Sequence, residues 1–509
     1  MNIDEKLIST AEALFDCHGF NATGMDRLAQ AAGMSSRTLY KHAGSKNELI
    51  AAVLMTRGQR FLQRLELDSV EALFDALAGW MSEEGARGCL FLRAQGEIGS
   101  AVPEVAETVT AYKARFSETV RRILARLSAT GFGLIAVCYG FARFAFGLFL
   151  PQIDADLALS QTVGGLIAGG SFLGYCLAIV LAAQLTERIG ARAVAVCAAL
   201  VAALGMLGIA LAPSAAWLAA AVLLAGMSTG LASPPMAAAV AAVIAPRRQD
   251  ASNTLINAGT SAGIILSGPV ALLLGAEWRL AYAVFACSAL VLALFASFCV
   301  PSATAPQARA AEAGSLFSGT LKRLVVASLL MGAASTALWS FGSQIVAQRL
   351  GWESAGAGLL WVVIGAAGIA GAGAGSLIAR LGVDWANRLC LGALAAAIAL
   401  VGMGSAPALA LLGGALFGAA YITLSGIYLV WGVAALPQRP ATGLTVAFLG
   451  IAIGQTLGAP VFGLLTSWLS MDHAVGLFAL LALAAGVMRS SVGEAVRSSP
   501  IGCPEKGPY

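Results

Sequence analysis

Charged side chains are distributed so unevenly along this chain that a single water-soluble fold is excluded. Residues 1–127 hold 15 Lys/Arg and 16 Asp/Glu, whereas the 382 residues that follow hold 16 and 11. The first stretch matches an ordinary soluble protein, in which about a quarter of residues are charged. The second is a series of apolar runs that only a bilayer tolerates. The first part has one acidic residue in excess and the second five basic ones, so any affinity for nucleic acid must come from a local patch. The nine cysteines (Cys17, Cys89, Cys138, Cys176, Cys197, Cys287, Cys299, Cys390, Cys503) show no paired spacing. Neither a zinc site nor a disulfide framework follows, and no metal or cofactor is expected. The N-terminus lacks a basic-then-apolar signal pattern, so residues 1–127 are expected to stay on the side of synthesis.

Within the soluble part, Leu7, Ile8, Ala11, Leu14 and Phe15 follow a helical period that Gly19 ends. A second short helix is expected over Met25–Ala32, then a tight turn at Gly33. Ser35 or Ser36 caps a third, Arg37–His42, and a fourth starts near Lys46 with Leu49, Ile50, Val53 and Leu54 at core spacing. Two short helices about a glycine turn, the second polar, form a helix-turn-helix, whose second helix fits the major groove.

The run Gly33-Met-Ser-Ser-Arg-Thr-Leu-Tyr-Lys-His42, followed by Ser45-Lys46-Asn-Glu-Leu49, closely resembles the TetR family of repressors over about residues 3–60. Gly88-Cys-Leu-Phe91 and the helix after it resemble, more weakly, the start of that family's ligand domain. The resemblance implies that Ser35, Ser36, Arg37 and Thr38 face bases of an operator, and that Thr23, Tyr40, Lys41, His42 and Lys46 face phosphates. It also implies a homodimer on DNA, although the chain turns apolar before the two long helices that normally supply the family's dimer interface. Ala43 stands where the family usually has an aromatic residue.

Beyond residue 127, apolar runs of about 20 residues, each enough to cross the hydrocarbon, recur at 131–152, 162–185, 192–212, 214–240, 252–276 and 279–300. They resume at 322–348, 354–380, 386–405, 407–432, 440–468 and 472–489. The expected organisation is all-α: 1–60 the DNA-binding domain, 61–127 truncated ligand or linker helices, 128–300 and 322–490 two six-helix halves, 301–321 a linker and 491–509 a tail. With the N-terminus cytoplasmic, thirteen basic residues (Arg188, Arg192, Arg247, Arg248, Arg309, Lys322, Arg323, Arg380, Arg388, Arg439, Arg489, Arg497, Lys506) fall inside, against Arg279 and Arg349 outside. That bias orients the chain in the cell's inner membrane with both termini cytoplasmic. Ala183-x-x-x-Glu187-Arg188-x-Gly190 recurs as Gly375-x-x-x-Ala379-Arg380-x-Gly382, and Gly259-x-x-x-Gly263 with Pro269 recurs as Gly450-x-x-x-Gly454 with Pro460. Gln152-Ile153 and Gln344-Ile345, and Pro246/Arg248 and Pro437/Arg439, keep the same offset. Two halves of like sequence imply a pseudo-two-fold with a site between them.

Twelve spans, two halves and these motifs resemble the major facilitator superfamily over residues 130–490. On that resemblance Glu187, Arg188, Gly190 and Arg192, with Arg380 and Gly382, form the turn that controls conformational change. Gly259, Gly263, Gly268 and Pro269 look like a degraded antiporter signature, for which close helix packing is an equal reading. The first span, Tyr139 to Pro151, is reminiscent of the YbfB/YjiJ subgroup.

Arg143 is the sharpest single residue, about 16 Å deep in the first span at 1.5 Å per residue. A charge there is expensive in lipid and should face a cavity or a partner, either a solute's anionic or carbonyl group or a structural acceptor such as Asn257. Asp154, at the outer end of that span, is the candidate for proton coupling. By fold analogy Ser228, Thr229, Gln344, Tyr421, Thr423, Tyr428, Trp431 and Gln455 also line the transport site. Without a nucleotide-binding motif or a nucleophile–base pair, the chain reads as a gradient-driven exporter of a small organic or drug-like solute, not an enzyme. Its N-terminal module would repress its own or neighbouring genes, the expelled compound acting as inducer. The alternative is a membrane-bound sensor that detects a solute with the transporter fold and signals to DNA.

Overall fold

The computed structural model describes residues 5–64, 70–84, 87–99, 101–275, 277–302, 319–437 and 439–490, and among them every regular element is helical. The chain separates into two compact units, Met1–Leu127 and Ser128–Tyr509. Residues 303–318 and 491–509, which include most of the expected linker and the tail with Arg309, Arg497 and Lys506, lie outside the described residues.

The first unit holds α1 (Glu5–His18), α2 (Met25–Ala32), α3 (Ser36–Ala43), α4 (Lys46–Arg64), α5 (Val70–Glu83), α6 (Leu90–Ile98) and most of α7 (Pro103–Ile135). Apolar positions at helical spacing (Leu7, Ala11, Phe15, Leu28, Leu39, Leu49, Val53) close one core. Ala43, where an aromatic was the family expectation, is fully buried in it. Sequence reading missed the polar ties. Glu12, 9% exposed, accepts from Arg57 at 2.9 Å and Arg60 at 2.7 Å, joining α1 to α4. Glu97 on α6 accepts from the backbone N–H groups of Phe20 at 2.7 Å and Asn21 at 3.1 Å, just beyond α1.

In the second unit, α7 passes into a π-helical stretch (Ala136–Phe144) and α8 (Ala145–Leu157). There follow α9 (Gln161–Ala210), α10 (Ala215–Val243), α11 (Pro246–Asn257), α12 (Gly259–Leu274) and α13 (Trp278–Cys299). The rest comprises α14 (Gly319–Trp339), α15 (Gly342–Leu350), α16 (Ser354–Gly368), α17 (Ala374–Met403), α18 (Pro407–Ala435), α19 (Pro440–Trp468) and α20 (Met471–Ala485). Among the described residues nine continuous helices are long and apolar enough to cross a membrane. Two of them, Gln161–Ala210 and Ser354–Met403, run 50 residues each, about twice the bilayer's need. Each breaks at a glycine in a conformation that L-residues avoid, Gly190 (φ 84°, ψ 160°) and Gly382 (φ 75°, ψ 162°). Counting each as two crossings and adding the shorter α20 gives twelve apolar segments. Large apolar side chains such as Leu273, Phe295, Phe298 and Leu480 face outward, as a lipid-facing surface requires.

The internal repeat is visible in the packing. A Cβ added to Gly259 or Gly263 on α12 would strike the Phe132 or Ala136 carbonyl, and one added to Gly454 on α19 would strike the Leu329 carbonyl. The glycine motif of each half thus presses its helix against that half's first span, which gives the degraded antiporter signature a packing role. The halves meet where α9 crosses α19, with Gly165 against the Ala459 carbonyl, and where α12 crosses α16, with Gly268 against the Gly358 carbonyl.

Candidate functional site

The helix-turn-helix is built from α2 and α3. Gly33, at φ 70° and ψ 32°, closes α2, a left-handed cap that glycine adopts without strain. Ser35 caps α3, its hydroxyl accepting from the Thr38 N–H at 3.1 Å, and the two hydroxyls lie 2.8 Å apart. Ser36 donates to Asp26 at 3.2 Å, holding α3 to α2. Leu39 and Ala43 point into the core, which leaves Arg37, Thr38, Tyr40, Lys41 and His42 exposed on the opposite face, with Lys46 half-buried beyond them. This is a short helix presenting two cations, an imidazole, a phenol and hydroxyls, suited to a groove and its phosphates. Thr23 departs from expectation: it is fully buried and its hydroxyl donates to the Gly19 carbonyl at 2.7 Å. It braces the turn, and its side chain cannot reach a phosphate.

The second site lies around Arg143, within the π-helical stretch. A π-bulge shifts the facing of side chains by one residue and is enriched at functional positions. Arg143 is 6% exposed. One terminal nitrogen donates to Gln455 Oε1 at 2.7 Å, while Nε is buried without a partner. Gln455 Nε2 donates in turn to Ser335 Oγ at 3.2 Å and to the Tyr421 hydroxyl at 3.0 Å. Ser335 uses its own proton on the Gly332 carbonyl at 2.7 Å, so its oxygen accepts and the Gln455 amide is fixed with its oxygen toward Arg143. Rings surround the guanidinium, whose carbon lies 4.6 Å from the ring centre of Tyr175, 4.8 Å from Phe172, 5.2 Å from Phe144 and 5.8 Å from Tyr139. Trp339 stacks on Phe144 at 4.2 Å and meets Tyr421 edge-on at 5.2 Å.

This arrangement joins Arg143 of the first half to Gln455 and Tyr421 of the second. The other candidates lie elsewhere. Asn257 is exposed at the end of α11, its amide donating to the Asn253 carbonyl at 2.8 Å, so it is not the acceptor for Arg143. Tyr428 is fully buried, its hydroxyl donating to the Ala327 carbonyl at 3.3 Å, which packs α18 on α14. Gln344 is buried but donates to the Asp154 carboxylate, away from Arg143. Ser228 and Thr229 turn their protons back onto their own helix. Sequence reasoning missed Ser335, Phe172 and Tyr175; their membership depends on which face of each helix turns toward Arg143.

Gly190 and Gly382 form the two breaks, and the residue just past the first makes a specific bond: Arg192 Nε donates to the Val300 carbonyl at the end of α13, at 2.7 Å. In the second half Arg388 Nε donates to the Gly486 carbonyl beyond α20, at 3.3 Å. Glu187, Arg188 and Arg380 are exposed. At the opposite end Arg279 donates to the Ala210 and Ala212 carbonyls at 3.1 and 2.8 Å and pairs with Asp156 at 2.8 Å. A cleft of about 810 Å³ opens there between the halves, lined by Gln152, Asp156, Arg279, Trp352 and Glu353 among others.

A membrane-embedded carrier of two helical halves preceded by a DNA-reading helix-turn-helix is the class these features define. A family model described as the Major Facilitator Superfamily matches residues 132–454, and one for bacterial regulatory proteins of the tetR family matches residues 7–53. The chain belongs to the major facilitator superfamily and carries a TetR-family DNA-binding domain at its N-terminal end. It is 30% identical over 179 residues to the HTH-type transcriptional activator FasR of Mycolicibacterium smegmatis, covering 31% of this chain and 78% of that protein. Among solved structures it resembles the nucleoside transporter NupG (TM-score 0.59, 15% identity, 72% of this chain and 98% of that one). It also resembles a bacterial homolog of the human lysosomal transporter Spinster in an inward-facing, unoccupied conformation (0.56, 16%, 74% and 94%). A third is the human organic anion transporter MFSD10 (0.53, 19%, 72% and 99%). At these identities the likeness is one of fold.

Proposed function

We propose that this chain is an ion-coupled exporter of a small organic solute, and that its N-terminal domain binds an operator as a homodimer and regulates expression of the exporter or its neighbours. On this reading the protein sits in the inner membrane with both termini cytoplasmic, so that the helix-turn-helix reaches DNA. The solute site is the Arg143, Gln455 and Tyr421 cluster. The observation that carries the reading is the hydrogen bond from Arg143 to Gln455, 312 residues apart in sequence, which joins the two halves through buried polar groups. Buried polar contacts between two packed bodies are strong when satisfied and costly when left open. A solute that exchanges with them therefore biases how the halves sit against each other.

Asp154 is the coupling residue of the proposal. It accepts from Gln344 of the second half, and both its Oδ1 and the Gln344 Oε1 are buried without partners. A proton on this carboxyl supplies the donor that the pair lacks. Arg192 and Arg388, each holding a helix end within its own half, keep the halves rigid while they rock.

Inside-out vesicles from cells making the full-length chain test the proposal. Solute should accumulate in them when an inward-acid gradient is applied, and Gln455→Ala should reduce the initial rate at least about tenfold, the worth of one or two buried hydrogen bonds. Accumulation that is absent from wild-type vesicles while the promoter still responds to the compound would instead select a sensor that moves nothing.

A further inference from the structure

We infer that the solute held between the halves is an organic monoanion with a flat apolar body, its carboxylate bound to Arg143. The inference rests on the reading that the Arg143 cluster is the transport site, and it names the solute's chemistry. Among the described residues of Ser128–Tyr509, Arg143 is the only charged side chain that is buried. A guanidinium does not give up its proton at any physiological pH. No carboxylate stands within ion-pair distance of it among the described residues. Its one side-chain acceptor is the neutral oxygen of Gln455, and its Nε–H is buried and unused. The four surrounding rings attract the cation through their π faces but accept none of its remaining hydrogen bonds.

A site with a buried, uncompensated cation is electrostatically incomplete. A carbonyl or amide solute would only repeat what Gln455 already gives, whereas a carboxylate adds both the missing charge and a second acceptor in the guanidinium plane. Because the site has one buried cation, a dianion would bring a charge without a partner. The rings of Tyr139, Tyr175, Phe172 and Phe144, with centres 4.6–5.8 Å from the guanidinium, give its surroundings an aromatic character that favours an aromatic or similarly planar body over a hydrated inorganic ion.

The test uses purified full-length protein in detergent and four probes of known chemistry: sodium benzoate, benzamide, benzylammonium chloride and sodium chloride. Thermal unfolding of Ser128–Tyr509 and intrinsic tryptophan fluorescence are read together, since Trp339 lies against Phe144. Benzoate is expected to raise the Tm and change the fluorescence, while the isosteric amide, the ammonium and chloride at equal concentration do neither. Arg143→Gln is expected to melt no lower than wild type without ligand, because it removes an uncompensated charge, and to lose the benzoate shift. Arg143→Lys keeps the charge but not the planar donor edge, and should weaken benzoate about tenfold. A shift with benzamide or chloride equal to that with benzoate overturns the inference. So does a benzoate shift that survives in Arg143→Gln, or the absence of one in wild type. Benzoate binding without flux in proteoliposomes removes the transport reading and leaves the anion assignment standing; flux of neutral solutes unaffected by Arg143→Gln does the reverse.

Discussion

Three residues show how far a side chain's role depends on its neighbours. Thr23 lies in the turn between α1 and α2, whereas Asn257 and Gln455 lie on helices, and residue type alone does not tell their roles apart. The fold gives Thr23 to the Gly19 carbonyl, Asn257 to its own helix and Gln455 to Arg143. Thr23→Val should accordingly lower the stability of the first unit by about 0.5–1.5 kcal/mol, the worth of a buried hydrogen bond. It should leave the salt dependence of DNA binding unchanged, as chemical denaturation and operator titrations at several salt concentrations would report. Lys41→Ala should behave in the opposite way, with unaltered stability and a salt slope smaller by about one. A slope that falls in Thr23→Val would return that residue to the phosphate contacts. Arg143 was legible as important because a charge within an apolar run is rare. Its partner was not, since the interaction spans 312 residues and both halves of the fold.

At the scale of elements, most of what the sequence dictates concerns where helices start and stop. Ser35, Gly19 and Gly33 act at the predicted positions because a hydroxyl cap and a left-handed turn are local requirements. The repeat in which Gly190 and Gly382 sit likewise marked the two breaks in advance. The π-helical stretch was not legible, because apart from Arg143 the run Ala136–Phe144 reads like any other apolar helix. Gly33→Ala and Gly382→Ala isolate the cost of the turns, because an added Cβ would meet nothing within 4 Å at either position. Backbone strain alone should cost about 1–2 kcal/mol at Gly33, in the left-handed helical region, and about 1–3 kcal/mol at Gly382, whose φ and ψ fall where essentially only glycine goes. Gly33→Ala should lower the melting temperature of the first unit and Gly382→Ala that of the second, by scanning calorimetry of the full-length protein. Equal stability of wild type and Gly382→Ala would mean that the break between the eighth and ninth crossings tolerates a right-handed backbone.

For the whole molecule, charged residues are dense in one part and sparse in the other, and the two compact units divide after Leu127, where that density drops. The repeat of about 192 residues foretold two halves because glycines that press helices together must recur wherever the packing recurs. The solute's chemistry and the direction of movement depend on a site assembled from both halves, which no single stretch of sequence encodes. On the proposed reading, one chain both moves a solute and reads DNA. The most direct measurement follows one compound in cells making wild type, Arg37→Ala or Gln455→Ala, recording intracellular accumulation and promoter occupancy together. With each form made from one unrelated promoter, that reading expects low accumulation and compound-dependent occupancy in wild type, loss of occupancy alone in Arg37→Ala, and raised accumulation in Gln455→Ala. Accumulation that is the same in all three strains while occupancy still follows the compound would contradict it.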